Sequence, residues 1–202
     1  MSRLILPLLL LLCSLSASAG TAPDYRAERI KFASEAGYDP YALALAEKGL
    51  LEEHFRLAND PKTTIEEVNA PLKKLLDTYP LGIQANLAVA DFLEYVAKQA
   101  DANNPDPRLL DTARKKRDKA NAILRSILDS GDGKSPKTAY QVINTLEEYA
   151  VLDYLELEPT TQTLLTPPGE SYDLFAAKDK DGVVHSLYFD ISLFYDRTKS
   201  SR

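Results

Sequence analysis

The sequence contains very little cysteine and histidine, the residue types behind thiol catalysis and many transition-metal sites. Its one cysteine, Cys13, lies in an apolar N-terminal segment. Arg3 and the apolar residues 4–13 are followed by Ala17-Ser18-Ala19, which places small residues at the two positions that signal peptidase inspects. Cleavage after Ala19 would leave a chain without cysteine, which excludes disulfide bonds, thiol catalysis and thiolate metal sites.

The apolar N-terminal segment is too short to serve as a permanent membrane anchor. We therefore predict that residues 1–19 are a signal peptide and that the protein is exported, to the periplasm or out of the cell. Lipid attachment at Cys13 is disfavoured, because Leu12 is bulkier than the small residue that lipoprotein processing favours. No other stretch approaches transmembrane length, so we expect no stable membrane span after cleavage.

Only two histidines are present, and nothing in the sequence links them. His54 is predicted on a helix flank, and His185 on a strand that follows a turn. A partly buried structural histidine is the favoured interpretation of each. No spacing of carboxylates indicates a metal site, so we predict neither a metal nor a cofactor.

The charge balance is acidic. Lys and Arg number 24 against 30 Asp and Glu, a formal net charge of −6, and losing Arg3 with the leader makes it −7. Neutralising phosphate requires clustered positive charge, so nucleic acid and anionic lipid are poor candidates for partners. The basic residues 114–117, with Lys119, are interspersed with acids nearby and favour a solvated helix face. A docking patch for an acidic partner is the alternative.

Residues 20–130 have helical periodicity. Asp39 followed by Pro40 predicts a helix start, and Pro71 predicts a kink or a break near Asn69. The predicted helices cover residues 40–59, 63–79, 83–97 and 109–129, after a loose arm or short helix around 27–34. Short turns and alanines at the contacts resemble tetratricopeptide packing. Since no 34-residue repeat is present, we predict stacked helical hairpins and not a true array.

The segment 126–155 joins this helical region to a strand-rich one. Gly131 is predicted to end the helix at positive φ, Gly133 adds a second permissive position, and Ser135-Pro136 forces the backbone out of the helical region. Gly133-Lys134-Ser135 is not a phosphate-binding loop, because Leu128 stands where the first glycine is required and a helix precedes the loop. A calcium loop is also excluded, since the glycines fall at positions that need oxygen ligands.

After residue 131 the apolar pattern becomes alternating, which predicts strands. A helix is predicted from Thr145, with a capping box formed by Thr145 and Glu148. Asp181-Gly182 favours a hairpin turn. The predicted strands cover residues 139–143, 161–165, 171–178 and 183–194. Residues 131–195 thus form a small, mainly antiparallel sheet with one packed helix, which makes the fold α+β and leaves residues 196–202 as a disordered tail.

A combination of short motifs runs through residues 75–194. Its members are Leu75-Leu76, Tyr79-Pro80-Leu81, Ser130-Gly131-Asp132-Gly133, Ser135-Pro136, Thr138-Ala139, Val142-Ile143, Glu148-Tyr149, Leu152, Gln162-Thr163-Leu164, Tyr172-Asp173 and Tyr188-Phe189-Asp190-Ile191. Together they resemble the bacterial domain-of-unknown-function family 4919. The resemblance implies an exported domain of helices and sheet, and it implies no catalytic residues.

Six residues of the second region are the candidate binding residues: Asp132, Lys134, Tyr140, Glu148, Tyr188 and Asp190. Tyr188 and Asp190 alternate with apolar residues, so they are predicted on the sheet face opposite the apolar row. If that face is open, they could line a polar site with Tyr140. No catalytic residue is predicted.

Two functions from different classes follow. The favoured one is a non-enzymatic protein of the cell envelope that binds a peptide or protein, because stacked helical hairpins form concave surfaces. The alternative is a carboxylate-dependent hydrolase acting on an envelope component. An apolar groove along residues 83–96 would favour binding, whereas ionisable groups converging around Glu148 and Asp190 would favour catalysis.

Overall fold

The computed structural model describes residues 23–100 and 105–199, so the predicted signal peptide lies outside it. The described residues form seven α-helices and four strands. In chain order these are α1 Tyr25–Ser34, α2 Pro40–Ala58, α3 Ile65–Thr78, α4 Ile83–Ala100, α5 Pro107–Leu128, β1 Tyr140–Gln141, α6 Thr145–Tyr154, β2 Glu158–Leu165, β3 Tyr172–Lys178, β4 Val184–Asp190 and α7 Ser192–Lys199. The predicted α+β fold is confirmed. None of these helices has the length and apolarity that crossing a bilayer requires.

The helices begin where local sequence provides caps. The Asp39 carboxylate accepts hydrogen bonds from the N–H groups of Tyr41 and Ala42 at 3.0 Å, and Pro40 is the first residue of α2. Thr64 and Glu67 form a capping box at the start of α3. These side chains satisfy amide groups that have no partner within the helix.

Of the kink or break predicted near Asn69, the break does not occur, since α3 runs without interruption from Ile65 to Thr78. Pro71 removes one backbone hydrogen bond from the helix. Its neighbour Leu72 is completely buried, in a cluster with Val68 and with Ala88, Val89 and Phe92 of α4. We infer that this apolar burial offsets the lost bond.

The four strands form one sheet in the order β1-β4-β3-β2. β1 pairs with β4 in parallel, and the other two pairs are antiparallel, as expected for a mainly antiparallel sheet. Phe175 and Phe189 point from the sheet into the main core, with ring centroids 5.4 Å apart. There they join Leu152 of α6 and Ile123 of α5, so helices cover this face of the sheet.

Gly131 and Gly133, in the segment that joins the helical and strand-rich regions, have different roles. Gly133 has a φ of +68°, as a tight turn requires. Gly131 is not at positive φ, contrary to the prediction, but a Cβ atom there would lie 2.2 Å from the Thr138 carbonyl oxygen. That oxygen accepts from the N–H groups of Asp132 and Gly133 at 2.9 and 2.8 Å, which closes the loop. Gly131 is therefore required by close approach of the backbone.

The predicted capping box of α6 is wrong. Asn144 is the cap, because its side-chain oxygen accepts from the Glu147 N–H at 3.1 Å. Thr145 is the first helical residue instead. The cap is fixed from outside the helix, since the Asn144 amide also donates to the hydroxyl of Tyr79 at 2.9 Å.

The end of the chain also differs from the prediction. β4 ends at Asp190, and α7 replaces both the end of the predicted strand and part of the predicted tail. The Asp190 carboxylate accepts from the Ser192 N–H at 3.0 Å, which favours a helix start at this point. Phe194 is buried in the main core and holds α7 against it. Residues 200–202 lie outside the described part.

Candidate functional site

The predicted polar residues are distributed over separate places. Asp132 and Lys134 lie in the exposed loop before β1, where the Asp132 carboxylate accepts from the Lys134 N–H at 3.0 Å. The Lys134 ammonium group lies 3.7 Å from the same carboxylate. Hydrogen bonds from the Thr138 hydroxyl and from the Lys134 N–H lower the pKa of Asp132. This pair stabilises the loop.

Tyr140 and Tyr188 face opposite sides of the sheet. Tyr140 pairs with Phe189 and shares its core-facing side, with the two ring centroids 5.8 Å apart. Tyr188 is the preceding residue of β4, so it points to the other face. Asp190 shares that face with Tyr188, and its carboxylate accepts a hydrogen bond from the Ser192 N–H at the start of α7. The structure therefore does not bring these three side chains into one site.

Glu148 is completely buried on α6, and the group it interacts with is Asp173 of β3. Neither carboxyl oxygen of Glu148 has a hydrogen-bond donor among the described residues. The Asp173 carboxylate accepts from the Gln162 side chain at 2.7 Å. Because two carboxylates are both acceptors, a hydrogen bond between them requires a proton on one of them.

Burial raises the pKa of Glu148 well above its usual value, and the nearby Asp173 raises it further. Burial also raises the pKa of Asp173, although the hydrogen bond from Gln162 opposes this. A proton on Glu148 would allow its carboxyl group to donate a hydrogen bond to Asp173. We call these two residues the carboxyl pair.

A second buried cluster holds α1 to the rest of the fold. The Arg29 guanidinium is 1% exposed and makes a bidentate ion pair with Glu147, at 2.7 and 2.6 Å. It also donates to the Gln141 carbonyl at 2.7 Å and to the Ser126 hydroxyl at 3.3 Å. Glu147 in turn accepts from the Ile143 N–H at 2.9 Å. Both charged groups therefore also have hydrogen-bond partners outside the ion pair, which is typical of a buried ion pair with a structural role.

Glu47 is a further buried acid, in the contact between α2 and α4. One of its oxygens accepts from the Ala85 N–H at 3.2 Å, and the other has no partner among the described residues. Burial raises the pKa of Glu47 to about 7, against the lowering effect of the Ala85 N–H and with a further rise from the charge of Glu147.

Three members of the basic run on α5 form ion pairs with neighbouring acids. Arg114 and Lys115 pair with Asp111, and Arg117 pairs with both Asp91 and Glu94 of α4. This agrees with a solvated helix face. Within the described residues, no group of three or more His, Cys, Asp or Glu side chains is arranged to hold a metal ion.

Both histidines have ordinary structural partners. The His54 ring is buried, with Nδ1 2.9 Å from the Val68 carbonyl oxygen. His185 lies on the surface, with Nε2 2.8 Å from the Asp179 carboxylate in the hairpin turn. The two rings belong to different parts of the fold, on α2 and on β4.

A groove of about 510 Å³ lies between α2, α4 and α6. Its apolar lining is supplied by Leu51 and Phe55 of α2, Leu87 and Ala88 of α4, and Leu146, Tyr149 and Ala150 of α6. Its polar lining is Gln84, Asp91, Arg117 and Asp153. We call this feature the α2–α4–α6 groove.

The groove has apolar edges and acidic polar groups. Phe55 is 57% exposed and Tyr149 is 45% exposed, which is high for side chains of this size. Arg117 is shared by two carboxylates, whereas Asp153 has no ion-pair partner among the described residues. The groove therefore offers apolar contact area with excess negative charge.

A second depression of about 410 Å³ lies on the other side of Phe55, between α2, α3 and α4. It shares Phe55 and Asp91 with the groove, and its lining also includes the exposed side chains of Tyr95 and Ile65. The two depressions adjoin each other at these shared residues. Adjoining apolar depressions suit a peptide segment better than a compact ligand.

The family model for a domain of unknown function, DUF4919, matches residues 11–200. The chain belongs to the DUF4919 family. The match extends well beyond the 75–194 stretch in which the sequence resemblance was located, and it includes α1 and α2. The DUF4919 domain is thus the helices and the sheet together. No curated protein and no solved structure matches the chain.

Among the buried charged side chains described in this DUF4919 protein, Glu148 was a predicted site residue, whereas Asp173, Arg29 and Glu147 were not. Asp173 precedes Phe175 and Ala177 by two and four residues along β3, so the three side chains lie on the same face. This spacing could have placed Asp173 on the buried face. Arg29 and Glu147 lie 118 positions apart, and no local pattern indicates their contact.

Proposed function

We propose that this protein is exported and acts without catalysis, as a binding module of the cell envelope. Its ligand in this proposal is an amphipathic segment of a peptide or protein, held in the α2–α4–α6 groove. The observation that carries the proposal is the groove itself, with apolar walls and the exposed ring of Phe55 at its edge. Apolar grooves between helices commonly accept the apolar face of another helix.

The charge of the groove specifies the partner further. Asp91 and Asp153 line it, and the one cation, Arg117, is already paired with Asp91 and Glu94. A segment with an apolar stripe and flanking Lys or Arg side chains complements this surface. Nucleic acid and anionic lipid do not, because they would meet negative charge.

Export is supported by the sequence of the first 19 residues, in which Arg3, an apolar run and Ala17-Ser18-Ala19 follow one another. Mass spectrometry of the protein made in a bacterial host would test this directly. We expect a chain that begins at Gly20 and is recovered outside the cytoplasm. A chain retained in the cytoplasm with residues 1–19 intact would contradict export.

Within the described part of the chain, the carboxyl pair is the arrangement on which we would base a hydrolase. Both members are buried, and neither lines the groove. A substrate could reach them only if the surrounding structure rearranged. Binding in the groove requires no such rearrangement, and we therefore favour it.

A designed peptide tests the groove. The probe is a fluorescent helical peptide with a leucine stripe and flanking lysines, compared with a peptide of equal charge in which serine replaces leucine. We expect only the leucine peptide to bind, and Phe55→Gln to weaken its binding by about tenfold. Leu45→Gln is the matched control, since Leu45 is exposed on α2 but does not line the groove. Equal affinity for both peptides, or equal loss in both variants, would contradict the proposal.

A further inference from the structure

Two of the helices that line the α2–α4–α6 groove run in the same direction. The Glu47 carboxylate of α2 accepts from the Ala85 N–H of α4 at 3.2 Å. Seven residues further along each helix, the ring centroids of His54 and Phe92 lie 5.7 Å apart. Contacts at equal spacing along both helices show that α2 and α4 lie side by side and are parallel.

The third helix, α6, starts at the same end of the groove as α4. Its cap, Asn144, donates to the hydroxyl of Tyr79, which lies four residues before the first residue of α4. Leu146 lines the groove near this end. Asp91 of α4 and Asp153 of α6 line it about two turns further along their helices. The groove therefore has one acidic end.

Asp153 is the carboxylate of this acidic end that is available to a ligand. Asp91 already pairs with Arg117 at 2.9 Å, and Arg117 also pairs with Glu94 at 2.7 Å. Asp153 is exposed, and its side chain has no ion-pair partner among the described residues. A cationic side chain of a bound segment can therefore pair with Asp153 without displacing an existing ion pair.

Tyr149 provides an aromatic surface next to Asp153. The two residues are four positions apart in α6, so they lie one turn apart on the same side of the helix, and both line the groove. The Tyr149 ring is 45% exposed, and it makes an edge contact with the buried ring of Phe175, with the centroids 5.9 Å apart. A planar guanidinium can pair with a carboxylate and also pack against an aromatic ring.

We propose that Tyr149 and Asp153 bind one arginine side chain of the segment held in the groove, at its acidic end. The guanidinium donates to the Asp153 carboxylate, and its planar face packs on the Tyr149 ring. Lysine binds there more weakly, because its ammonium group has no planar face. The positive charge also offsets the excess negative charge of the groove. This arginine subsite rests on the proposed function of the groove, and it determines which amphipathic segments the groove prefers.

Three fluorescent peptides test the subsite on the purified protein. They share one leucine stripe and carry arginine, lysine or glutamine at both ends of it, so that the acidic end meets the same residue in either orientation of the peptide. Fluorescence anisotropy measures their affinities. We expect the arginine peptide to bind about threefold to fivefold more tightly than the lysine peptide, and about tenfold more tightly than the glutamine peptide.

Substitutions in the subsite separate a direct contact from a general effect of charge. Asp153→Asn should weaken binding of the arginine peptide about fivefold, and Tyr149→Leu should give the arginine and lysine peptides nearly equal affinity. Asp153→Arg should reverse the preference, so that a peptide with glutamate in place of arginine binds more tightly. Glu66→Gln is the matched control, because Glu66 is exposed on α3 and does not line the groove. Far-UV circular dichroism checks that each variant is folded.

The outcomes distinguish the subsite from the groove itself. Equal affinity for the arginine and lysine peptides would overturn the subsite, although the groove would remain the binding site. Equal loss of affinity in Asp153→Asn and Glu66→Gln would overturn it as well. If none of the leucine peptides binds, both the subsite and the proposed function are wrong.

Discussion

Three carboxyl groups in the interior, those of Glu47, Glu148 and Asp173, lie where water cannot stabilise their charge. Each has a raised pKa, with burial as the largest cause. In contrast, Glu147 makes a bidentate ion pair with Arg29. Glu147 and Glu148 are adjacent buried residues of α6, but their surroundings differ. Glu147 has a cationic partner, whereas Glu148 interacts with another carboxyl group.

Replacing Glu148 with glutamine tests the protonated carboxyl directly. The amide has nearly the same shape and can donate to Asp173, as the protonated carboxyl does. The pKa of Glu148 is higher in the folded state than in the unfolded state. The stability of the unmodified protein therefore falls as the pH rises above the pKa that Glu148 has in the unfolded chain. We expect Glu148→Gln to be more stable than the unmodified protein at about pH 8, by about 1–3 kcal/mol, and nearly equal to it at about pH 4.

Urea denaturation at both pH values measures this difference. Glu66→Gln, on the exposed side of α3, is the control and should change little at either pH. A variant that is destabilised equally at both pH values would show that Glu148 is not held in its neutral form.

Among the elements, the helices of the first part follow closely from local sequence. Asp39-Pro40 and the Thr64 capping box lie within a few residues of the amide groups they satisfy, so spacing alone locates α2 and α3. The start of α6 could not be assigned in this way, because Asn144 and Thr145 are neighbouring residues that can both cap a helix. The contact of Asn144 with Tyr79, 65 positions away, selects between them.

Alanine substitutions at these two neighbours test the assignment of the cap. Asn144→Ala removes the hydrogen bond to the Glu147 N–H and leaves the Tyr79 hydroxyl without its partner. We expect it to lower the free energy of unfolding by about 1–3 kcal/mol. Thr145→Ala should change it by less than about 0.5 kcal/mol, because Thr145 caps nothing. Thermal denaturation of the two variants provides the comparison, and equal destabilisation would contradict the assignment.

The candidate site was only partly predictable. The alanines of residues 83–96 indicate a helix that neighbours can approach closely, and α4 does line the groove. The other walls come from α2 and α6, and their approach is set by tertiary packing that no short pattern contains. The polar residues around the joint lie close in sequence, but Tyr140 and Tyr188 point to opposite faces of the sheet.

For the whole molecule, the buried acids determine how stability depends on pH. Surface acids such as Asp111 and Asp179 have lowered pKa values. The stability that they contribute is therefore lost only when the pH falls through these lowered pKa values. The buried acids with raised pKa values have the opposite effect on the pH dependence of stability, because the folded state binds protons that the unfolded state releases. We therefore expect stability to fall as pH rises from about 4.5 to about 7.

Glu47 accounts for the part of this fall nearest neutral pH, since its pKa is raised to about 7. The linkage between a pKa of about 7 and a usual value of about 4.5 corresponds to about 3 kcal/mol. Glu47→Gln should flatten the stability profile below pH 7 by a comparable amount. Denaturation curves at closely spaced pH values measure it, and a profile that rises with pH in both proteins would refute this account.

The protein as a whole presents an apolar groove on its helices, with acidic groups at one end. The groove is the basis of the proposed function, and it predicts where a bound segment must lie. Amide hydrogen exchange, measured with and without the leucine–lysine peptide, locates that contact most directly. We predict slower exchange in the parts of α2, α4 and α6 that carry Phe55, Leu87 and Tyr149, with the sheet unchanged. Protection confined to the sheet, or no protection at a saturating concentration of peptide, would contradict the assignment of the groove as the binding site.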